Sequence, residues 1–260
     1  MKTTKETYRL YKNKVILEFD SEKHVYTVGG KKVEGVTGVT GIIAKPALIY
    51  WAVNQTIGFL QKTLKAGVGY DEIELGQLLE QAKFAHRKRT TEAADIGTLV
   101  HKAIEDYIKT GKITPLVHPK AKECFAQFVK WAKDNKVEFL ESERKVYSKK
   151  FQYAGTMDFY CKMKGKYFVG DTKTSSGIYD EMWFQVSAYQ QAYQEETGAK
   201  VDGHLIVRVG KDGSIEVQEN YDYDKNIVAF NGALLLYKRV QELNDIKARE
   251  RAKGDEKNGN

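Results

Sequence analysis

The sequence predicts an α+β domain, with a central mixed β-sheet flanked by helices, an N-terminal β-hairpin and a helical insertion. Helical periodicity dominates residues 46–136, strand patterns follow over 137–172, and a helix, a hairpin and a long helix close the chain. Segregation of helical and strand runs is the signature of this class. A second observation is the stretch 155–173, GTMDFYCKMKGKYFVGDTK, in which two strand patterns meet at Lys164-Gly165, a pair suited to a two-residue hairpin loop. At 260 residues the chain is long enough for one full hydrophobic core.

Taken in order, residues 15–19 and 24–28 alternate apolar and polar around Asp20-Ser21, predicting the opening hairpin. Glycines interrupt 32–43, which should finish that small sheet. Proline at its first turn starts a helix over 46–65. Helical patterns also cover 71–91, 94–109 and 119–136. Strands are expected at 137–148, 153–163 and 166–172, a helix at 179–197, and a hairpin of 203–209 with 214–220 across Asp212-Gly213. A helix at 224–248 ends the fold. The domain therefore spans 1–248, with 1–93 as hairpin and helical region and 94–248 as core. The charged segment 249–260 is expected to be a flexible tail.

The net charge of +7 suits an anionic partner. Its densest stretch before the tail is KFAHRKR, where Lys83, Arg87, Lys88 and Arg89 could follow a phosphate backbone from a helix. No apolar run reaches the roughly 18–20 residues of a membrane span, and the first residues lack a signal-peptide core, so a cytoplasmic protein without a membrane partner is expected. Cys124 and Cys161 lie apart in apolar periodic segments, where core packing is the simplest role. Two cysteines cannot build a four-cysteine iron–sulfur cluster, so none is expected.

In a hairpin centred on Lys164-Gly165, residues whose numbers sum to 329 face each other. Asp158 then lies across from Asp171, with Lys173 on the same face, while Phe159, Cys161, Met163 and Phe168 take the other. Carboxylates that close resist joint ionisation unless a cation lies between them. Mg²⁺ or Mn²⁺, bound through oxygen, is the simplest choice. On the helix carrying IGTLVHKAIEDYI, His101 flanks the apolar stripe one turn after Gly97 and one turn before Glu105. Gly97 costs about 1 kcal/mol inside a helix, which suggests close approach by another group. Gln185 and Tyr189 share a helical face, and Glu143 lies on the strand before the hairpin.

The ordered series G-T-x-x-H-x-x-x-E, an E-x-x-V strand, A-G-T-x-D, D-T-K and Q-x-x-x-Y resembles the RecB-like branch of the PD-(D/E)XK (restriction-endonuclease-like) nuclease superfamily. The likeness is to its phage-type and mitochondrial genome-maintenance exonucleases in particular. It begins at VTGVTGIIAKPALIYWA and covers roughly residues 36–195. The resemblance implies a metal-dependent DNA exonuclease acting on single-stranded or end-containing DNA in phage-type recombination, repair or replication. Its location would be the host cytoplasm if phage-encoded, with other recombination or replication proteins as partners. It also implies His101, Asp158, Asp171 and the Thr172 carbonyl as ligands of Mg²⁺ or Mn²⁺, and Lys173 as the catalytic lysine. Gln185 and Tyr189 would support the active site and contact DNA; Glu105 and Glu143 match weaker positions behind the ligands. Trp51 and the basic stretch would line a path for the strand. A non-catalytic DNA-binding module and another metal-dependent phosphoesterase are the alternatives.

Overall fold

The structure is a computed structural model that describes residues 5–258, with the side chains of Lys88 and of 253–258 left outside the description. It is α+β, with a mixed central sheet flanked by helices. Strands β1 (Lys5–Leu10), β2 (Val15–Asp20), β3 (Val25–Val28) and β4 (Lys31–Gly35) form an antiparallel meander, larger than the hairpin expected. A short helix α1 (Val36–Thr40) follows where a glycine-interrupted strand end was expected. Then come α2 (Pro46–Thr63), α3 (Glu72–Lys83), α4 (Ala85–Thr110) and α5 (Pro119–Asp134). The helix break falls at Phe84, not after residue 91, so α4 runs unbroken through 93–94, where a division between regions was expected. Nothing between 85 and 110 but Gly97 opposes a helix, and Phe84 leaves it with φ −104° and ψ 6°.

Strands β5 (Glu138–Ser148), β6 (Tyr153–Met163) and β7 (Lys166–Lys173) match the expected boundaries within a residue. Lys164 and Gly165 both take positive φ, 51° and 77°, as a type I′ turn requires, and the register is the expected one, from Met163–Lys166 to Phe159–Gly170. Helix α6 (Asp180–Thr197), strands β8 (Gly203–Val209) and β9 (Ile215–Asn220) and helix α7 (Tyr223–Asn258) complete the chain. α7 continues through 249–258, where a flexible tail was expected. Ala, Arg, Glu and Lys favour helix there, and residues 259–260 lie outside the described ones.

Strand β6 organises the sheet. One edge pairs with β5 along nearly its whole length. The other edge pairs with β7 over Phe159–Met163 and, in parallel, with β4 at Tyr153 and Ala154. Between those two partners, residues 155–158 face an opening. β7 meanwhile pairs in parallel with β8, which pairs with β9.

Helices α4 and α5 cover one face of the sheet, packing Val100, Ile104, Phe125 and Phe128 on Phe159, Cys161, Met163 and Phe168. That is the apolar face expected of the hairpin, and both cysteines are free and buried in this layer. A β-carbon on Gly170 would come within 2.0 Å of the Phe159 ring, so glycine is what lets this ring lie flat on β7. Helices α1, α6 and α7 cover the other face, with Val36, Val186, Tyr189 and Phe230 against Tyr153, Met157 and Ile206. Among the described residues no helix is long and apolar enough to cross a membrane.

His204 is buried on this second face, its Nε2 without a hydrogen-bond partner and its ring edge-on to Tyr223. Burial pushes its pKa down to about 4. The folded value lies below the unfolded one, so the unfolded chain binds the extra proton between about pH 6.5 and 4 and stability falls with pH in that window. Urea titrations across this range should show His204→Leu losing about 3 kcal/mol less than the wild type. Parallel pH profiles would show the buried imidazole contributes nothing to acid sensitivity.

Candidate functional site

The opening beside residues 155–158 is the floor of a cavity of about 330 Å³, lined by His101, Glu143, Lys145, Thr156, Asp158, Asp171, Lys173, Gln185 and Tyr189. Its shape follows from the register. The β6–β7 ladder ends at Phe159–Gly170, and one step further Asp158 lies across from Asp171. The strands part there, and Asp158 Oδ2 spans the gap to accept a hydrogen bond from the Thr172 N–H at 2.8 Å. A strand residue sends its N–H and C=O to the same edge, so the Thr172 carbonyl points toward β6 as well, although Thr172 is buried and does not line the cavity. On the other side of β6 the pairs Ser142–Phe159 and Arg144–Met157 bracket Glu143, setting it beside Asp158. The site therefore holds a row of three acids on three adjacent strands.

Burial makes this row electrostatically tense. Asp171 is 1% exposed. Burial and then the charge of Asp158 raise its pKa to about 6, against the opposing pull of Lys173. Glu143 rises to about 7 for the same two reasons, burial first and Asp158 second. Burial lowers the Lys173 pKa, but Asp171 and Asp158 outweigh it and the net shift is upward, so this lysine is a cation at neutral pH. Its Nζ lies 2.5 Å from Asp171 Oδ2. That contact is an ion pair without hydrogen-bond alignment, which is why the same oxygen has no hydrogen-bond partner.

Gln185 organises the remaining polar atoms. Its Nε2 donates to Asp171 Oδ1 at 3.2 Å and to Tyr189 Oη at 2.7 Å, and its Oε1 accepts from Lys173 Nζ at 3.3 Å. The i, i+4 spacing on α6 aims both residues at the end of β7. Gly155 makes room for them, because a β-carbon there would come within 2.6 Å of the Tyr189 ring.

His101 reaches the acids from α4, with Nδ1 3.5 Å from Asp158 Oδ2. Gly97, one turn earlier, allows the approach: its missing β-carbon would lie 3.0 Å from Thr174 Oγ1, just past Lys173. The close neighbour expected from this glycine is thus the end of β7. Glu105 points elsewhere, into ion pairs with Lys102 at 3.2 Å and with Lys109, and does not line the cavity.

The expected strand path is separate from the acids. Lys83 and Arg87 lie over the Phe84 ring, at 5.4 and 4.3 Å. Arg89 lines a cavity of about 690 Å³ with Gln55, Phe59, Lys62 and Phe84. Trp51 is exposed on α2 and lines neither cavity. At 1.5 Å per residue, Arg89 is about 18 Å from His101 along α4. The side chain of Lys88 lies outside the described residues.

Sequence reasoning also missed Lys145, Thr156 and Tyr26 as cavity residues, along with Phe19 and His24. Thr156 shares a face of β6 with Asp158 by period two, and Lys145 is its cross-strand partner on β5. Tyr26 arrives from β3 and bonds Thr156 Oγ1 at 2.9 Å, a contact 130 residues apart that no local pattern signals.

No protein-family model matches the chain, and no curated protein matches it. Among solved structures, the crystal structure of SSO0001 is similar over 74% of this chain and 87% of its own, at 13% identity and a TM-score of 0.29. That similarity is too slight to inform fold or function.

The acid row has a measurable consequence without any ligand. Glu143 has a folded pKa above its unfolded one, so it weakens the fold once both states are ionised, above about pH 7, and the penalty fades as pH falls toward 4.5. Its side chain is nearly a third exposed, so solvent screening limits the effect. Metal-free Glu143→Gln should therefore unfold at higher urea than wild type at pH 8, by about 1–2 kcal/mol, with the advantage gone by pH 5. Gly155→Ala should act through packing. Displacing the Tyr189 ring costs about 1–3 kcal/mol and should show as a lowered unfolding midpoint at every pH.

Proposed function

We propose that this chain is a metal-dependent DNA nuclease of the PD-(D/E)XK type, RecB-like, acting on single-stranded or end-containing DNA. One observation supports it above the others. His101, Asp158, Asp171, Lys173, Gln185 and Tyr189, scattered over 89 positions of sequence, all line one cavity.

The donor chemistry fits a hard divalent ion. Asp171 has a buried oxygen whose contact is a lysine ammonium without hydrogen-bond alignment, and Asp158 and the His101 imidazole border the same opening, with Thr172 buried beside them. Among the described residues no three acids, histidines or cysteines converge on a single point. Asp171 is drawn to Lys173 and Gln185, and Asp158 to the Thr172 N–H. Those are the contacts that two neighbouring carboxylates make when a lysine supplies the compensating charge. An imidazole among oxygen donors favours Mn²⁺ over Mg²⁺. A bound ion would supply Lewis-acid activation of water and of the scissile phosphate.

The chain's own residues do the rest. Asp158 and Asp171 hold charge at a fixed place, stiffened by the Thr172 N–H and by Gln185. Lys173, kept cationic by both acids, neutralises negative charge as it develops on the phosphate and does not act as a base. Gln185 sets the Lys173 ammonium, and Tyr189 anchors Gln185 from beneath. The basic side chains around Phe84 are placed to follow the strand away from the cleft. A non-catalytic module would have no need of the complete set, and a general phosphoesterase would have no need of the distant basic cluster.

End-labelled DNA incubated with Mn²⁺ should be digested by the wild type. Asp171→Ala and Lys173→Ala should each reduce the rate at least about 10²-fold while the purified variants remain folded by circular dichroism. Undiminished turnover in either purified variant would eliminate the mechanism. Digestion of a non-nucleic phosphate ester alone would favour the broader phosphoesterase.

A further inference from the structure

One cation in the cleft has no role in the catalysis just described. Lys145 lies on β5 two residues past Glu143, lines the same cavity and pairs across the sheet with Thr156. Its side chain is only 9% exposed, yet its Nζ meets Glu143 Oε2 no closer than 4.0 Å. Its other close neighbours are ring faces, Phe19 at 5.1 Å and Tyr8 at 5.5 Å. An ammonium group carries three donors, and a covered one gains much from a well-placed anion. Lys173 is different, since Asp171 and Gln185 already engage it. Lys145 opens into the same cavity as the acids, beside Phe19, His24, Tyr26 and Thr156. Tyr26 and Thr156 bring two hydroxyls together at 2.9 Å, and the His24 ring lies edge-on to Phe19 at 5.2 Å.

The rows of the sheet give the spacing. Lys145 and Lys173 lie on strands separated by β6, and because β6 and β7 have parted at this row their backbones are further apart than the roughly 10 Å of two regular strand spacings. Both side chains line one cavity with Thr156.

We propose that Lys145, with the Tyr26 and Thr156 hydroxyls, forms a second anion subsite that holds the strand phosphate next to the one being cleaved. The Phe19, His24 and Tyr26 rings would form the wall against which the flanking nucleotide lies. The N-terminal meander then belongs to the substrate site. This rests on the nuclease reading, and it assigns a positioning residue with no part in bond breaking.

Lys145→Met keeps the stem that packs on Phe19 and removes the charge; Lys145→Arg keeps the charge. Binding of a fluorescent single-stranded oligothymidylate to the full chain, read by anisotropy across a salt series, is the test. Ca²⁺ replaces Mn²⁺ in that series, and the oligonucleotide is checked for integrity afterwards. Lys145→Met should weaken binding about five- to tenfold at low salt and lower the slope of log K against log salt by about 0.7, the loss of one phosphate contact. Lys145→Arg should restore both. In Mn²⁺ the Met variant should raise KM and leave kcat close to the wild-type value. Wild-type affinity and slope in Lys145→Met, with cleavage by the wild type intact, would overturn the subsite and leave the nuclease standing. Weakened binding that Arg does not rescue, with an unchanged slope and a lowered unfolding midpoint, would mark Lys145 as a structural cation and overturn the subsite as well. A wild type that neither binds nor cleaves the oligonucleotide would remove both readings.

Discussion

The site depends on an interruption in a β-ladder. On one edge of β6, β7 departs after Phe159 and β4 arrives at Ala154, and the four residues between have no strand beside them. Unpaired backbone in the middle of a sheet is normally covered or wet. Here it is lined by acids and lysines, with the Thr172 N–H satisfied by the Asp158 carboxylate in place of a strand carbonyl. The same interruption makes a cavity and places a carboxylate in it. An uninterrupted antiparallel pair would press Asp158 and Asp171 together with no room for anything between them. The parting of the strands turns a destabilising juxtaposition into a space for a cation.

Local chemistry made much of this legible. Lys164-Gly165 needs two left-handed residues in succession, a demand a basic residue followed by glycine meets, and the turn then fixes every pair along β6 and β7. From that register the facing aspartates, the lysine beside them and the apolar underside follow by parity alone. Non-local features were out of reach. The parallel contact of β4 with β6 joins segments more than a hundred residues apart through only two residue pairs, and the meander's role as a wall follows from it. Glu143 was named from the sequence only as a position behind the ligands. It takes φ 52°, uncommon for a residue with a side chain, within a strand whose register shifts between Phe139 and Glu141, so its place in a row with Asp158 had no periodic signal. Glycine meant different things in different places: Gly97 marked a real close approach, whereas Gly254 did not end α7.

Polar contacts around Asp171 are arranged so that neither that acid nor Lys173 stands alone. Gln185 is the one neutral residue that touches Asp171, Lys173 and Tyr189 together, and its amide is suited to that because it donates at one end and accepts at the other. Tyr189 is deeply buried, and burial holds its phenol far above its usual range, so it serves only as a neutral anchor. Replacing the amide with a third carboxylate would set another negative charge against Asp171; replacing it with an apolar side chain would leave three buried polar groups without a common partner. The i, i+4 placement on α6 therefore matters as much as the two strand acids, since it converts a pair of opposed charges into a connected network.

The distribution of positive charge over the molecule follows from the same geometry. Lysines inside the cleft cannot attract a strand from a distance, because the acids beside them cancel their field beyond a few ångströms. Long-range attraction therefore has to come from cations that lack acidic neighbours, and the Phe84 cluster, about 18 Å away along α4, is where they are concentrated. Lys83 is partly compensated there by Glu80 at 3.6 Å, and Arg87 stacks on the exposed Phe84 ring. On the proposed reading, capture and chemistry would be separated because their local requirements are opposite. A divalent ion needs a concentration of negative charge and a polyanion needs the reverse, and α4, which carries the arginines in its first turns and His101 further along, would let both requirements be met without conflict.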